Sequence, residues 1–170
     1  MALVTDVRVR QPKADDLVAD GFVVAGIGHG FEGTIGIRVL GGNGRVLGTG
    51  SAQSSGGMAG VGDFATTVRL DQVPRPGTRV TVQVFGDNPG LPGEGPDPGF
   101  DLREVEVIVF GSMAGFLLHR VERGDTLTSI LRTHRALTRA TVKQVVAANP
   151  RITDPDKIKV GWRLRIPVLG

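Results

Sequence analysis

Short runs in which apolar and polar residues alternate recur along the first two thirds of the chain. Such period-two alternation is typical of β-strands with one buried face. Shorter apolar runs near residues 7, 22 and 46 add to it, and residues 41–44 (GGNG) predict a hairpin turn. The clearest alternating runs are Ile35/Ile37/Val39, Phe64/Thr66/Val68/Leu70, Val80/Val82/Val84 and Val105/Val107/Val109. About seven short strands with almost no helical periodicity predict an all-β, immunoglobulin-like sandwich over residues 1–110.

The pattern changes after residues 111–115 (GSMAG), which we interpret as a short flexible linker. A strand is predicted at 118–121. Leu127, Ile130 and Leu131 follow at positions i, i+3 and i+4 and predict a helix, with Asp125 as the expected N-cap.

A second helix is predicted directly afterwards. Thr141 and Gln144 have the spacing of a capping box, and Asn149 followed by Pro150 ends the helical pattern. A last strand is predicted within 160–167. Residues 116–170 therefore form a separate α+β domain with the order strand, helix, helix, strand.

Charge is distributed unevenly between the two parts. Residues 1–111 contain nine Lys/Arg and thirteen Asp/Glu, a net charge of −4, whereas residues 112–170 contain eleven and four, a net charge of +7. The basic positions in the helical region are interpreted as a solvated face, because no nucleic-acid-binding motif accompanies them. Parts of opposite charge are expected to have different neighbours.

Residues that carry catalytic or metal chemistry are scarce. The chain has no cysteine, which excludes disulfides, thiolate metal sites and a cysteine nucleophile. His29, His119 and His134 are not at metal-ligand spacing from one another, and we interpret them as surface or strand residues. The acids of the loop at 87–101, Glu94 among them, are interpreted as solvated turn residues rather than a calcium site. We therefore predict a protein that is not an enzyme and has no cofactor and no metal.

The N-terminal part also resembles a known family. The residues are Gly26, Gly28, Gly30-Phe31-Glu32-Gly33-Thr34-Ile35, Ile37, Val39, Gly44, Val46-Leu47, Gly62 and Phe64. They resemble the immunoglobulin-like domain of bacterial spore germination proteins, over about residues 5–110. The resemblance implies a structural or interaction domain. Glu32 has no partner for catalysis nearby in sequence, so it is expected to accept backbone N–H bonds at a strand start.

The C-terminal part resembles the LysM family over about residues 117–167. The matching residues are Val121, Gly124-Asp125-Thr126-Leu127, Ile130, Ala148-Asn149-Pro150, Ile152, Asp154-Pro155-Asp156, Ile158, Gly161, Leu164, Ile166 and Pro167. Two positions depart from the family, since Thr128 replaces a frequent aromatic and Trp162 a frequent glutamine. LysM modules bind glycans that contain N-acetylglucosamine, such as peptidoglycan and chitin.

The resemblance implies a groove with two walls. One wall consists of Gly124, Asp125, Thr126 and Leu127, and the other of Pro150, Arg151 and Ile152. Trp162 is expected either to stack on a sugar or to anchor a protein interface. The same residues also have structural roles as turn, cap, core and helix stop, so they establish the fold more firmly than the ligand.

Two functions follow from the resemblance. The first is a structural docking protein of a larger assembly, such as the baseplate, tube or spike region of a phage-tail-like contractile injection particle. The alternative is a cell-wall protein that binds peptidoglycan. Residues 1–6 lack an export signal, and no segment is apolar enough to insert in a membrane. We therefore expect a cytoplasmic protein or a particle assembled there, and a cell-wall location only for a chain trimmed at its start.

Overall fold

The computed structural model describes residues 5–90, 93 and 95–169. Residues 1–4 of the segment 1–6, in which no export signal was found, lie outside these residues, and so does Glu94 of the acidic loop. The described elements are β1 (Arg8–Gln11), β2 (Leu17–Val18), β3 (Phe22–Gly28), β4 (Thr34–Leu40), β5 (Val46–Gln53), β6 (Gly62–Val68), β7 (Thr78–Gly86), β8 (Phe100–Val109), β9 (Met113–Arg120), α1 (Leu127–Thr133), α2 (Val142–Ala148) and β10 (Arg163–Leu169).

The chain forms two compact units. Unit 1 comprises residues 1–16, 21–73 and 79–107, and unit 2 comprises residues 17–20, 74–78 and 108–170. Strands dominate the first unit, whereas the second contains both α-helices and the β9–β10 sheet. The predicted combination of a β-sandwich and an α+β domain is confirmed.

Two sheets contain the strands β1 to β8. One has the order β1-β3-β6 and is antiparallel, and the other has the order β2-β8-β7-β4-β5. In the larger sheet β2 pairs with β8 in parallel, and β4 pairs with β5 and β7 antiparallel. The seven predicted strand runs all fall in or next to these strands. Only the two-residue β2 was missed, because two residues are too few to show a period.

The alternation in the sequence corresponds to burial in unit 1. Val24 and Phe64 from the three-stranded sheet and Ile37 and Val82 from the larger sheet are all buried. The sheets pack closely, since a Cβ added at Gly28 would lie 3.0 Å from Ile35 Cδ1. Burial of these side chains is the main source of stability for a sandwich of this size.

The segment Phe31–Gly33, between β3 and β4, forms a 3₁₀ turn. A Cβ at Gly30 would lie 2.0 Å from the carbonyl oxygen of Thr34, and Gly33 has a φ of +78°. Both positions therefore require glycine. Glu32 is an exposed residue of this turn with a φ of 54°, which differs from the expected acceptor at a strand start. The motif is conformational, because its glycines fix the path of the backbone.

The helices of unit 2 pack on one face of the antiparallel β9–β10 sheet. Val121, Ile130, Val145, Leu164 and Ile166 form its fully enclosed core. The register pairs Leu118 with Arg165 and Arg120 with Arg163. The predicted order strand, helix, helix, strand is confirmed, although β9 begins five residues before the predicted start.

The segment 111–115, interpreted as a linker, contains a turn at Gly111 and Ser112 followed by the first residues of β9. Within unit 2, Phe110 is completely buried in a cluster with Ile108, Ala148 and Leu169. The domain boundaries at 110 and 116 remain a prediction.

Candidate functional site

An open groove of about 310 Å³ lies on the surface of unit 2. Its volume is at the lower end of the range for small-ligand sites. The residues that line it come from the start of α1, the start of α2 and the loop before β10: Asp125, Thr126, Leu127, Thr128, Val142, Pro155, Asp156 and Ile158.

The first wall of the groove is held by the N-terminus of α1. Thr126 is the N-cap, and its hydroxyl accepts the N–H of Ser129 at 3.1 Å. The Ser129 hydroxyl accepts the N–H of Thr126 at 2.9 Å, which completes a capping box. Thr126 therefore presents its backbone and hydroxyl in a fixed position at the groove.

Asp125 is not the cap that the sequence suggested. Its Oδ2 accepts the backbone N–H of Glu122 at 2.8 Å and contacts His119 Nε2 at 2.9 Å. The carboxylate is turned towards β9 by His119, so the next hydroxyl in the chain, Thr126, caps the helix instead. The backbone N–H of Glu122, followed by the His119 hydrogen bond, holds the pKa of Asp125 below its ordinary value.

The residues predicted for the second wall lie elsewhere. Pro150, Arg151 and Ile152 are not among the described residues that line the groove, where Pro155, Asp156 and Ile158 take their place. Ile152 is only 5% exposed and belongs to the core of unit 2. Ligand contacts of any of these residues remain predictions.

Trp162 and Arg151 form a contact of their own. The guanidinium carbon of Arg151 lies 4.3 Å from the centre of the Trp162 ring, which is a cation–π geometry. Trp162 also packs against the core of unit 2 and is half-buried. One face of the Trp162 ring is thus occupied within the domain. Neither Trp162 nor Arg151 is among the described residues that line the groove.

Gly124 is part of the tight turn before the groove, as predicted, with a φ of +89°. An added Cβ would meet no atom within 4 Å, so glycine is required there for its backbone angle rather than for space. Of the four residues predicted for the first wall, the structure brings Asp125, Thr126 and Leu127 to the groove. Leu127 is only 3% exposed, so it forms the floor.

Two of the three histidines meet, which sequence spacing did not reveal. His119 Nδ1 lies 3.1 Å from His134 Nε2, and the rings are nearly perpendicular at 79°. His119 is on β9 and His134 caps the C-terminus of α1, so only the packing of that helix on the sheet brings them together. Within the described part of the chain, no group of three or more His, Asp or Glu side chains is arranged to hold a metal ion.

No helix among the described residues is long and apolar enough to cross a membrane.

Comparison with known families agrees with both halves of the structure. The model of the immunoglobulin-like domain of bacterial spore germination matches residues 6–90, and the LysM domain model matches residues 119–167. No curated protein matches the chain. Both matched domains are binding modules rather than catalytic domains, and the LysM match supports binding of peptidoglycan or a related glycan. Because the first of these models matches 85 of the 170 residues, half of the chain, the chain belongs to the family of immunoglobulin-like domains of bacterial spore germination, and it carries a LysM domain in its C-terminal part.

Proposed function

We propose that the chain is a non-catalytic binding protein whose LysM domain holds an N-acetylglucosamine-containing glycan in the groove of unit 2. The observation that carries this proposal is the mixed lining of the groove. Leu127, Val142 and Ile158 supply apolar surface, and Thr126 and Asp156 supply polar groups. The C–H faces and the acetamido methyl of a sugar pack against the former, and its hydroxyl and amide groups bond to the latter.

Binding of a single glycan is expected to be weak. Among the described residues the groove contains no aromatic ring, because Thr128 stands at its edge and Trp162 is engaged with Arg151. Stacking of a sugar on a ring therefore does not contribute. The net charge of +7 over residues 112–170 adds attraction to an anionic wall polymer.

Thr128 offers a direct test, because it is exposed and lines the groove. In Thr128→Arg a long side chain fills the groove, whereas Thr133→Arg makes the same change on the same helix away from it. We expect the first variant to lose binding to chitin oligosaccharides and to insoluble peptidoglycan, and the second to keep it. Because both variants gain the same charge, equal binding by the two contradicts the proposal.

A second candidate function is docking within a larger assembly, such as the baseplate, tube or spike region of a phage-tail-like contractile injection particle. The observation that favours it is the outer face of β9, where Phe116 is 44% and Leu118 is 64% exposed. Arg120 and Arg163 lie beside this apolar strip. Exposed apolar residues with a charged rim are typical of protein interfaces.

The two functions are distinguished by separate variants. If docking is the function, Leu118→Glu releases a tagged chain from high-mass particles in its native cell, while Thr128→Arg leaves it bound. A chain that sediments alone as a free monomer in that cell contradicts the docking candidate.

A further inference from the structure

The histidine pair of unit 2 has the spacing of a metal chelate. Two nitrogens bound to one Zn²⁺ at tetrahedral angles, with bonds of about 2.0–2.1 Å, are roughly 3.3 Å apart. His119 Nδ1 and His134 Nε2 are 3.1 Å apart, which is close to that separation, and both rings have to turn for their lone pairs to converge on one ion. The pair lies on two packed elements, β9 and the end of α1, which fix it.

Asp125 determines which nitrogen of His119 is available. A carboxylate only accepts hydrogen bonds, so the 2.9 Å contact places a proton on His119 Nε2. The neutral ring then has its lone pair on Nδ1, which faces His134. Metal-binding histidines commonly donate their other N–H to a carboxylate, which fixes the tautomer and raises the basicity of the ligating nitrogen.

Asp125 is itself fixed, because the same Oδ2 accepts the backbone N–H of Glu122 at 2.8 Å. The side chains of His119 and Asp125 are 18% and 22% exposed, so water and ions can reach them. Asp125 is one of four acidic residues among residues 112–170, and it places a negative charge beside His119.

We propose that His119 Nδ1 and His134 Nε2 chelate one divalent transition-metal cation of the Zn²⁺ or Cu²⁺ class, with Asp125 as the residue that positions His119. In the absence of metal, His134 Nε2–H donates to His119 Nδ1. On binding, His134 carries its proton on Nδ1 instead, so the charge of the pair itself does not change. Because only two protein ligands converge, water completes the coordination.

The test uses the whole chain and Zn²⁺ or Cu²⁺ salts, with binding measured by calorimetry in a buffer that does not coordinate metals. We expect one site per chain and tighter binding of Cu²⁺ than of Zn²⁺, in the order that imidazole ligands give. His119→Gln and His134→Gln each abolish this site. Asp125→Asn weakens it by about 10- to 100-fold, the usual cost of losing a partner of this kind.

Asp154→Asn is the matched control for charge. Asp154 is paired with Lys157 at 2.9 Å on a different loop, so its loss leaves metal affinity unchanged. Circular dichroism and thermal unfolding establish that each variant is folded. If the wild type binds neither ion, or if one-to-one binding survives in either histidine variant, the proposal is wrong.

A second measurement needs no variant. In NMR spectra of the wild type, Zn²⁺ is expected to shift the imidazole signals of His119 and His134. The third histidine, His29, is buried in unit 1 and retains its signals. Shifts at His29 without shifts at the pair overturn the assignment. Since these readouts do not involve a glycan, they are independent of the proposed function.

Discussion

Asn149 and Arg165 are joined by two hydrogen bonds that connect the end of α2 to β10. Asn149 Oδ1 accepts the N–H of Arg165 at 2.8 Å, and Asn149 Nδ2 donates to the Arg165 carbonyl at 2.7 Å. The same Nδ2 donates to the Val145 carbonyl at 2.7 Å. The side chain is buried, so each of these groups depends on the others for its hydrogen bonds.

Replacing Asn149 with alanine is expected to destabilise the LysM domain by about 2–3 kcal/mol, because buried backbone groups lose their partners. Urea unfolding followed by the fluorescence of Trp162, the only tryptophan, reports on this unit. Thr153→Ala, at an exposed position, serves as the control and is expected to change stability by less than about 0.5 kcal/mol. A similar effect of the two variants contradicts the assigned role of Asn149.

Thr126 rather than Asp125 is expected to determine the stability of α1 through capping. Thr126→Ala removes the hydroxyl that accepts the Ser129 N–H, and an N-cap of this kind contributes about 1 kcal/mol. Thr126→Ser retains the hydroxyl and is expected to restore most of that stability. Thermal unfolding of the three proteins measures the difference, and a serine variant no better than alanine rules out the cap.

The stability of the LysM domain is expected to depend on acid through Asp125. Its folded pKa lies below the ordinary value of 3.8, mainly because of the Glu122 N–H and also because of His119. The stabilisation is therefore fully present above pH 3.8 and is lost as the pH falls through the lower folded pKa. Urea unfolding at a series of acidic pH values should show a steeper loss for the wild type than for Asp125→Asn. Parallel curves contradict this expectation.

Arg151 is expected to act on the stability of the domain and not on glycan binding. Its guanidinium lies over the Trp162 ring, and an exposed cation–π pair contributes about 0.5–1 kcal/mol. Arg151→Ala should therefore lower the unfolding midpoint slightly and leave binding to chitin oligosaccharides unchanged. Arg135→Ala removes one positive charge elsewhere on the surface and controls for the change in net charge. If Arg151→Ala loses glycan binding and Arg135→Ala keeps it, this expectation is wrong, and Arg151 belongs to the second wall of the glycan site as the sequence predicted.

The strands and helices were predictable because each is determined by residues close together in the sequence. Alternation over five to seven residues predicted β4, β6 and β7, and the Thr141–Gln144 spacing predicted the capping box of α2, which the structure contains. Such patterns depend on local geometry alone. They predict a strand or helix well when its buried side chains recur with the same period as the backbone repeat of that element.

The details of the site depend on contacts between distant residues, and these were not predictable. The sequence predicted Asp125 as the N-cap of α1, but the structure has Thr126 there, because His119 on another element forms a hydrogen bond with the Asp125 carboxylate. His119 and His134 meet only after α1 packs on the sheet. Pro155, Asp156 and Ile158 line the second side of the groove, whereas Ile152 is buried in the core.

The carboxylate of Asp125 takes part in two sites. It lines the groove, and it holds the imidazole of His119. Binding of a cation at the histidine pair and binding of a glycan in the groove are therefore thermodynamically linked. If the cation changes the affinity for the glycan by some factor, the glycan changes the affinity for the cation by the same factor. Titration of the glycan with and without Zn²⁺, and of Zn²⁺ with and without the glycan, must yield the same ratio of affinities.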